Sequence, residues 1–366
     1  MAIEWADNFQ NYGTGNRDSA ARGRLSNGIY ALVGNNVDLP IDPDPNFSTP
    51  VLRIFGIKQY IRKVYSSFGV TKGVGVRLWI DDFPDSLRYR PAIRFSDALG
   101  STKVTVAVNP TGQLAVYATT TNLENINPLP APAGITPGPV LVTNAWQHVE
   151  VKCKAGNGDG EVEVRVEGVP VLVLTGQTIL MDNNEVAMVD IVNNQYSWAG
   201  TNTSVSSTYV KDLVTWGTSG TENVDFLGSV GVFTLWPDSD VDLNWTPSIG
   251  SEGWSILDNN PPVDTQYISA DDTPPAAYVA TMTNLPEDVT SVKALMTVVR
   301  ARKTDGGDGN LQVSLVSNGD EAAGEDRPLT TAFTYWFDVS EIDPDTGVAW
   351  SPTAVDNVEL KIDRTI

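Results

Sequence analysis

The chain is poor in cysteine, histidine and positive charge. A single cysteine, Cys153, among 366 residues rules out an intrachain disulfide framework. The single histidine, His148, leaves no Cys/His set for a structural zinc. Lys and Arg number 24 against 45 Asp and Glu, a formal charge of −21. A duplex-binding protein needs a basic footprint, so nucleic acid is not an expected partner. The same deficit disfavours an anionic membrane surface. No apolar run reaches the roughly 18 residues of a membrane span, and membrane insertion is not expected. The start, Met-Ala-Ile-Glu-Trp-Ala-Asp, has neither the basic region nor the apolar stretch of a signal peptide. The expectation is a soluble protein made in the cytoplasm.

What is present is Val, Thr, Gly, Pro and Asn, with 10 Trp. That mixture favours pleated strands and tight turns over helices. The stretch from Trp146 to Val171 is the clearest case. Val149, Val151 and Cys153 alternate on one strand face. Val162, Val164 and Val166 share a face of the next strand, with Glu161, Glu163, Arg165 and Glu167 on the other. A Gly-rich turn, Ala155 to Gly160, joins them as an antiparallel hairpin with one apolar and one wet face. Period-two segments recur at Val74–Ile80, Ala92–Phe95, Lys103–Val108, Gln113–Ala118, Glu185–Val192 and Tyr209–Trp216. Many short strands with turn signals between them imply a sandwich or barrel. Gly13–Gly28 reads as a polar arm or edge loop, and Asn122–Pro139, with five prolines, as a loop.

The pattern restarts past Gly228. Strands are expected at Val230–Leu235, Ala277–Met282, Val292–Arg302, Leu311–Val316, Ala332–Phe337 and Val358–Ile362, with an Asp-rich loop after Leu235. The fold class is therefore all-β, with a larger domain over residues 1–228 and a smaller, acidic β-sandwich over 229–366. From Trp236 onward 23 acidic residues face 7 basic ones.

Several constellations could carry chemistry. Glu161, Glu163 and Glu167 could supply two carboxylates for glycan hydrolysis, but Arg165 among them favours a solvated strand face. Asp305–Asn310 and Asp238–Asp242 resemble calcium loops without the complete ligand spacing of an EF-hand, so turn chemistry is expected there and in Asp42–Pro45 and Asp343–Gly347. His148 shares a strand face with Trp146 and reads as a packed or rim side chain, and Cys153 as a buried one. No catalytic residue, metal site or cofactor is assigned. Trp198 and Tyr196, in the polar run Asn193-Asn-Gln-Tyr-Ser-Trp198, are the candidate glycan contacts, since exposed aromatic rings stack on sugars.

Trp146-x-His148-Val149, followed by a turn and Val-x-Val-x-Val-x-Gly-x-Pro, resembles the laminin G/concanavalin A-like lectin fold. Val76-Arg-Leu-Trp-Ile80 and Tyr209-Val-Lys-Asp-Leu-Val are similar to its preceding and closing strands. This resemblance covers residues 1–228 and implies a jelly-roll sandwich. The paired Asp ligands of calcium-dependent laminin G domains have no match here, so no metal is carried over. A second, narrower resemblance is to bacteriophage virion proteins. It rests on Asp212-Leu-Val-Thr-Trp-Gly, on Asp225-Phe-Leu-Gly-Ser-Val-Gly-Val-Phe-Thr-Leu-Trp-Pro237, and on Trp336-x-Asp to Asp343-Pro-Asp-Thr-Gly-Val-Ala-Trp350. It implies a non-enzymatic structural protein of the virion: a tail, tail-tip or fibre-associated component with contact to a host-surface glycan. Its partners would be other virion proteins and further copies of itself, a trimer being expected for a fibre or tip. Two alternatives stand beside it: a capsid decoration, cement or head-fibre protein, and a polysaccharide-degrading enzyme on a jelly-roll fold.

Overall fold

A computed structural model describes residues 2–9, 30–33, 41–43, 50–55, 59–83, 89–121, 123, 131–193, 207–259, 262–271 and 277–365. The chain divides into two compact units, one comprising residues 2–9 and 14–232 and the other centred on residues 233–366.

The first unit contains fifteen strands among its described residues. They are β1 (Ile3–Asp7), β2 (Ala31–Val33), β3 (Ile41–Pro43), β4 (Pro50–Phe55), β5 (Gln59–Gly69), β6 (Thr71–Ile80), β7 (Arg90–Ser96) and β8 (Thr102–Val108). The remainder are β9 (Leu114–Ala118), β10 (Gly134–Ile135), β11 (Trp146–Lys154), β12 (Gly156–Val166), β13 (Val169–Ile179), β14 (Val186–Asn193) and β15 (Ser207–Gly217). They form two antiparallel sheets. Sheet I runs β13-β12-β11-β6-β15-β4-β3, with β1 also pairing β15; sheet II runs β10-β9-β8-β7-β14-β5-β2. Neighbours distant in sequence lie side by side in both sheets, as a jelly-roll sandwich requires.

Alternation decides what lies between the sheets. Val74, Val76, Val149, Val151, Cys153, Val162 and Val164 of sheet I are buried, as are Ile61, Ile93, Phe95, Val104, Val106, Val116, Val189 and Ile191 of sheet II. The expected all-β sandwich is what the chain forms. The stretch after Trp146 makes two hairpins instead of one, because Glu167 and Gly168 both take positive φ and turn β12 into β13. Such paired left-handed residues make the tight turn that suits strand twist. The glycine run 156–160 belongs to β12 and pairs with the end of β13 through register shifts.

The outer face of sheet I departs further from the sequence reading. Residues 225–232, part of which reads as a strand at Val230–Leu235, instead cross this face as a strap without strand pairing. Asp225 bridges Lys152 at 2.7 Å. The Phe226 ring lies under the Arg165 and Lys152 cations, at 3.8 and 4.6 Å, and edge-on to Trp216. Leu227 and Gly228 donate their backbone N–H groups to one oxygen of Glu150, at 2.8 and 3.2 Å. Ser229 Oγ donates to Glu167 at 2.8 Å, and the Val232 N–H donates to Asp212 at 3.1 Å. Trp216 packs against Gly73; a Cβ there would stand 2.2 Å from its ring, so only glycine fits. The expected wet face of Glu161–Glu167 is thus partly a docking surface: Glu163 pairs with Arg165 at 2.7 Å, and Glu167 accepts from the His148 backbone N–H at 2.7 Å. A backbone segment without ladder partners must find other acceptors, and here carboxylates supply them.

The second unit contains β16 (Pro237–Leu243), β17 (Thr246–Pro247), β18 (Ile268–Ser269), β19 (Tyr278–Met282), β20 (Leu295–Ala301), β21 (Asn310–Ser317), β22 (Asp320–Ala323), β23 (Arg327–Pro328), β24 (Thr334–Ser340) and β25 (Glu359–Thr365). Two short helices join them, α1 (Trp254–Leu257) and α2 (Pro352–Asp356). Sheet III runs β16-β19-β25-β21-β22, with β23 on β21, and β20 pairs with β24 as a separate ribbon. Trp245, Tyr278, Ala280, Leu311, Val313 and Ile362 form one core cluster, with Val299 and Ala301 of the ribbon packed on it. Asp238–Asp242, read as a loop, is the edge strand β16. Its Asp240 accepts from the Gly253 and Trp254 N–H groups and from the Tyr278 hydroxyl.

Candidate functional site

On sheet II the residues between the core positions point to the outer face. Asp190 of β14 is paired with Arg62 of β5 on one side and Arg94 of β7 on the other. Arg94 is opposite Thr105 of β8, and Thr105 is opposite Tyr117 of β9. These five side chains make one row across five adjacent strands.

The centre of the row is a carboxylate held between two guanidiniums. Arg62 grips Asp190 with two prongs, at 2.7 and 2.9 Å, and Arg94 donates to it at 3.1 Å. Asp190 is fully buried, Arg94 nearly so, and the Arg62 side chain retains 14% exposure. Half-buried Tyr60 carries both cations over its ring, Arg94 at 4.5 Å and Arg62 at 5.3 Å. At the far end Tyr117 meets Tyr89 edge-on at 5.9 Å. Burial, then Tyr89, pushes the Tyr117 phenol well above its ordinary value, so it keeps its proton. Well-packed apolar side chains stabilise a sheet at least as well as a buried ion pair, so packing alone does not account for this row. Chemically it offers a cation partly open to solvent, a carboxylate that fixes the cation's direction, and phenols able to carry a proton.

The candidates from the sequence are placed differently. Tyr196 and Trp198 lie outside the described residues. Cys153 is completely buried, and burial pushes its thiol up, so it has no nucleophilic character. His148 is completely buried on the outer face of sheet I, beside Gly75 and Glu150. Asp305 accepts from the Gly307 N–H, and Asp343 from the Asp345 N–H and the Thr346 hydroxyl, which is turn chemistry. Among the described residues no three or more His, Cys, Asp or Glu side chains converge as a metal set. Sequence reasoning missed the sheet II row because its members lie far apart in the chain: Arg62 is 128 residues from Asp190, and Arg94 is 96. One signal existed. Asp190 and Arg94 each interrupt an apolar run, Val-Ala-Met-Val-Asp-Ile-Val and Ala-Ile-Arg-Phe, where a charge must have a partner or a use.

No family model matches the chain, and no curated protein matches it. Solved structures similar to it include alginate lyase Aly36B, at 17% identity and a TM-score of 0.41, covering 57% of this chain and 95% of that one. Another is the endo-β-1,4-glucuronan lyase of the fungus Trichoderma reesei, at 11% identity and 0.38, covering 58% and 95%. A third is the cellulose-induced protein Cip1, at 14% and 0.36, covering 58% and 96%. None of these bears on a place in a virion. They do correct the expectation of a non-enzymatic protein, because enzymes stand among the sandwiches this chain resembles. The physical reason is general: on a sheet, reacting side chains come from strands remote in sequence, so a missing local motif does not exclude catalysis.

Proposed function

We propose that the chain degrades an acidic polysaccharide by β-elimination, with the polymer lying on the outer face of sheet II. The observation that carries this reading is the Arg62–Asp190–Arg94 row with Tyr60 beneath both cations. Hydrolysis of a glycosidic bond needs two carboxylates facing each other across it. This row has one, and it is committed to two arginines. Elimination has different needs. A cation must neutralise the uronate carboxylate, which makes the neighbouring C5 proton removable. A base takes that proton, the C5–H electrons form the C4=C5 double bond, the C4–O bond breaks, and the departing oxygen receives a proton.

In this reading Arg62, partly exposed, binds the substrate carboxylate. Asp190 holds the guanidinium in a fixed plane by its two-pronged bond. Tyr60 moves the proton. The polymers named for the similar lyases, alginate and glucuronan, serve as trial substrates beside a neutral glucan. The expected result is ultraviolet-absorbing unsaturated product from a polyuronate and none from the glucan. Arg62→Ala and Tyr60→Phe should each lower the rate by about 100-fold or more, in the range for removing one preorganised group at a reacting centre, with an unchanged circular dichroism spectrum. If the folded wild-type protein yields no unsaturated product from any polyuronate, the elimination reading is wrong.

A further inference from the structure

The opposite face of the same sandwich carries a second row. In sheet I, Arg53 of β4 is directly opposite Tyr209 of β15, Tyr209 is opposite Trp79 of β6, and Trp79 is opposite Trp146 of β11. All four side chains point away from the core and are half-buried. Trp79 and Trp146 have ring centroids 5.9 Å apart and planes inclined by 62°. The Arg53 guanidinium lies over the Tyr209 ring at 5.7 Å, and the Lys211 ammonium over Trp146 at 4.4 Å.

We propose that this ladder is a glycan-binding site, separate from the sheet II row, for a single acidic polysaccharide chain. Three aromatic rings on successive strands repeat at the strand spacing of roughly 4.8 Å, close to the length of one pyranose unit. Each ring offers an apolar surface to a sugar's C–H face. The mutual inclination of the two tryptophans suits a twisted, soluble chain over a flat crystalline one. The ligand's charge follows from the cations at both ends of the row. In a chain of net charge −21, an acidic polymer is bound only where positive side chains are collected, as here by Lys211 and by Arg53, whose Nε–H donates to Ser207 Oγ at 2.9 Å. The strap leaves the row in place: its last contacts with sheet I, at Arg77 and Asp212, are one row away.

The test is affinity electrophoresis and calorimetry of the full chain with alginate oligouronides and with cello-oligosaccharides. It is made in an Arg62→Ala background, so that cleavage at sheet II is slowed while binding is read. Expected are binding of the oligouronides over the neutral sugars, a drop of about tenfold or more in affinity for Trp146→Ala, and a smaller drop with weaker salt dependence for Lys211→Gln. Lys211→Gln retains the aromatic rings and guards against a folding defect in the tryptophan variant. Equal affinity in wild type, Trp146→Ala and Lys211→Gln overturns the site, as does complete loss of binding in the Arg62→Ala background. Equal binding of neutral sugars overturns the acidic class. Loss of catalysis alone leaves the ladder standing, so the two readings fail separately.

Discussion

His148 lies on the outer face of β11 with both ring nitrogens buried and without a hydrogen-bond partner. Burial, then the nearby Arg77 cation, pushes its imidazole down to about 4, with Glu167 opposing. The unfolded chain takes up this proton below about 6.5, and the folded one does not until about 4. Stability linked to His148 is therefore fully present above pH 6.5 and is lost as pH falls towards 4. It amounts to at most about 3 kcal/mol at 1.36 kcal/mol per pKa unit. Glu150, raised mainly by burial and lowered by the Leu227 and Gly228 N–H groups, acts in the opposite sense: its contribution is lost as pH rises through its raised value. Asp212, raised mainly by burial, acts in the same sense as Glu150, so the histidine's share of the window between 6.5 and 5 is the part that His148→Leu removes. Melting temperatures of wild type should fall across that window, and those of His148→Leu should fall distinctly less. Parallel curves for the two would refute the assignment. That His148 is a packed or rim side chain could be read from its position beside Trp146; its complete burial could not. That its neighbours Glu150 and Arg77 bond to residues 227–229 could not be read either, since the residues of β11 give no sign of what meets them.

Among the elements, those with clean alternation were legible. β6, β8, β9, β14, β15, β19, β21 and β25 appear within a few residues of where the apolar period places them. β5 was not seen, because Lys63 occupies a buried position between Ile61 and Tyr65 and breaks the binary pattern; its ammonium rests over the Trp5 ring at 3.7 Å. Burial pushes Lys63 down to about 8, with Asp7 and Glu4 opposing. β16 reads as a loop in the sequence because an edge strand with one solvent face tolerates three aspartates. The end of the strap reads as a strand because Val230, Val232, Phe233 and Leu235 make an apolar, β-prone run, while its partners are carboxylates on distant strands. This gives the Asp225-Phe-Leu-Gly-Ser run a physical role. Phe226→Ala removes the ring from beneath Arg165 and Lys152 and from the edge of Trp216. The expected cost is about 1–3 kcal/mol, below the range for a fully buried Phe because this ring is half-buried. Faster hydrogen exchange at the Leu227 and Gly228 amides should accompany it. An unaltered urea midpoint with unaltered exchange would show that the strap is not held through Phe226.

At the scale of the molecule, the sequence already placed most of the negative charge in the second part, with 23 acidic and 7 basic residues from Trp236 onward. The structure adds that this part has cores of its own. One is built around Tyr278, Leu311 and Ile362, and another around Leu315, Trp350, Val355 and Val358. A unit with its own core can melt as its own cooperative transition. One with a net charge of −16 also resists compaction through self-repulsion, which salt relieves over a Debye length of about 10 Å at 0.1 M. Scanning calorimetry of the full chain should therefore show two transitions. The transition absent from a chain ending at Val232 should rise further in temperature between low and moderate salt than the one retained there. The first unit carries most of the arginine and lysine and has less repulsion to screen. A single transition, or two that respond equally to salt, would show that the charge asymmetry does not divide the stability of the molecule as the two cores divide its chain.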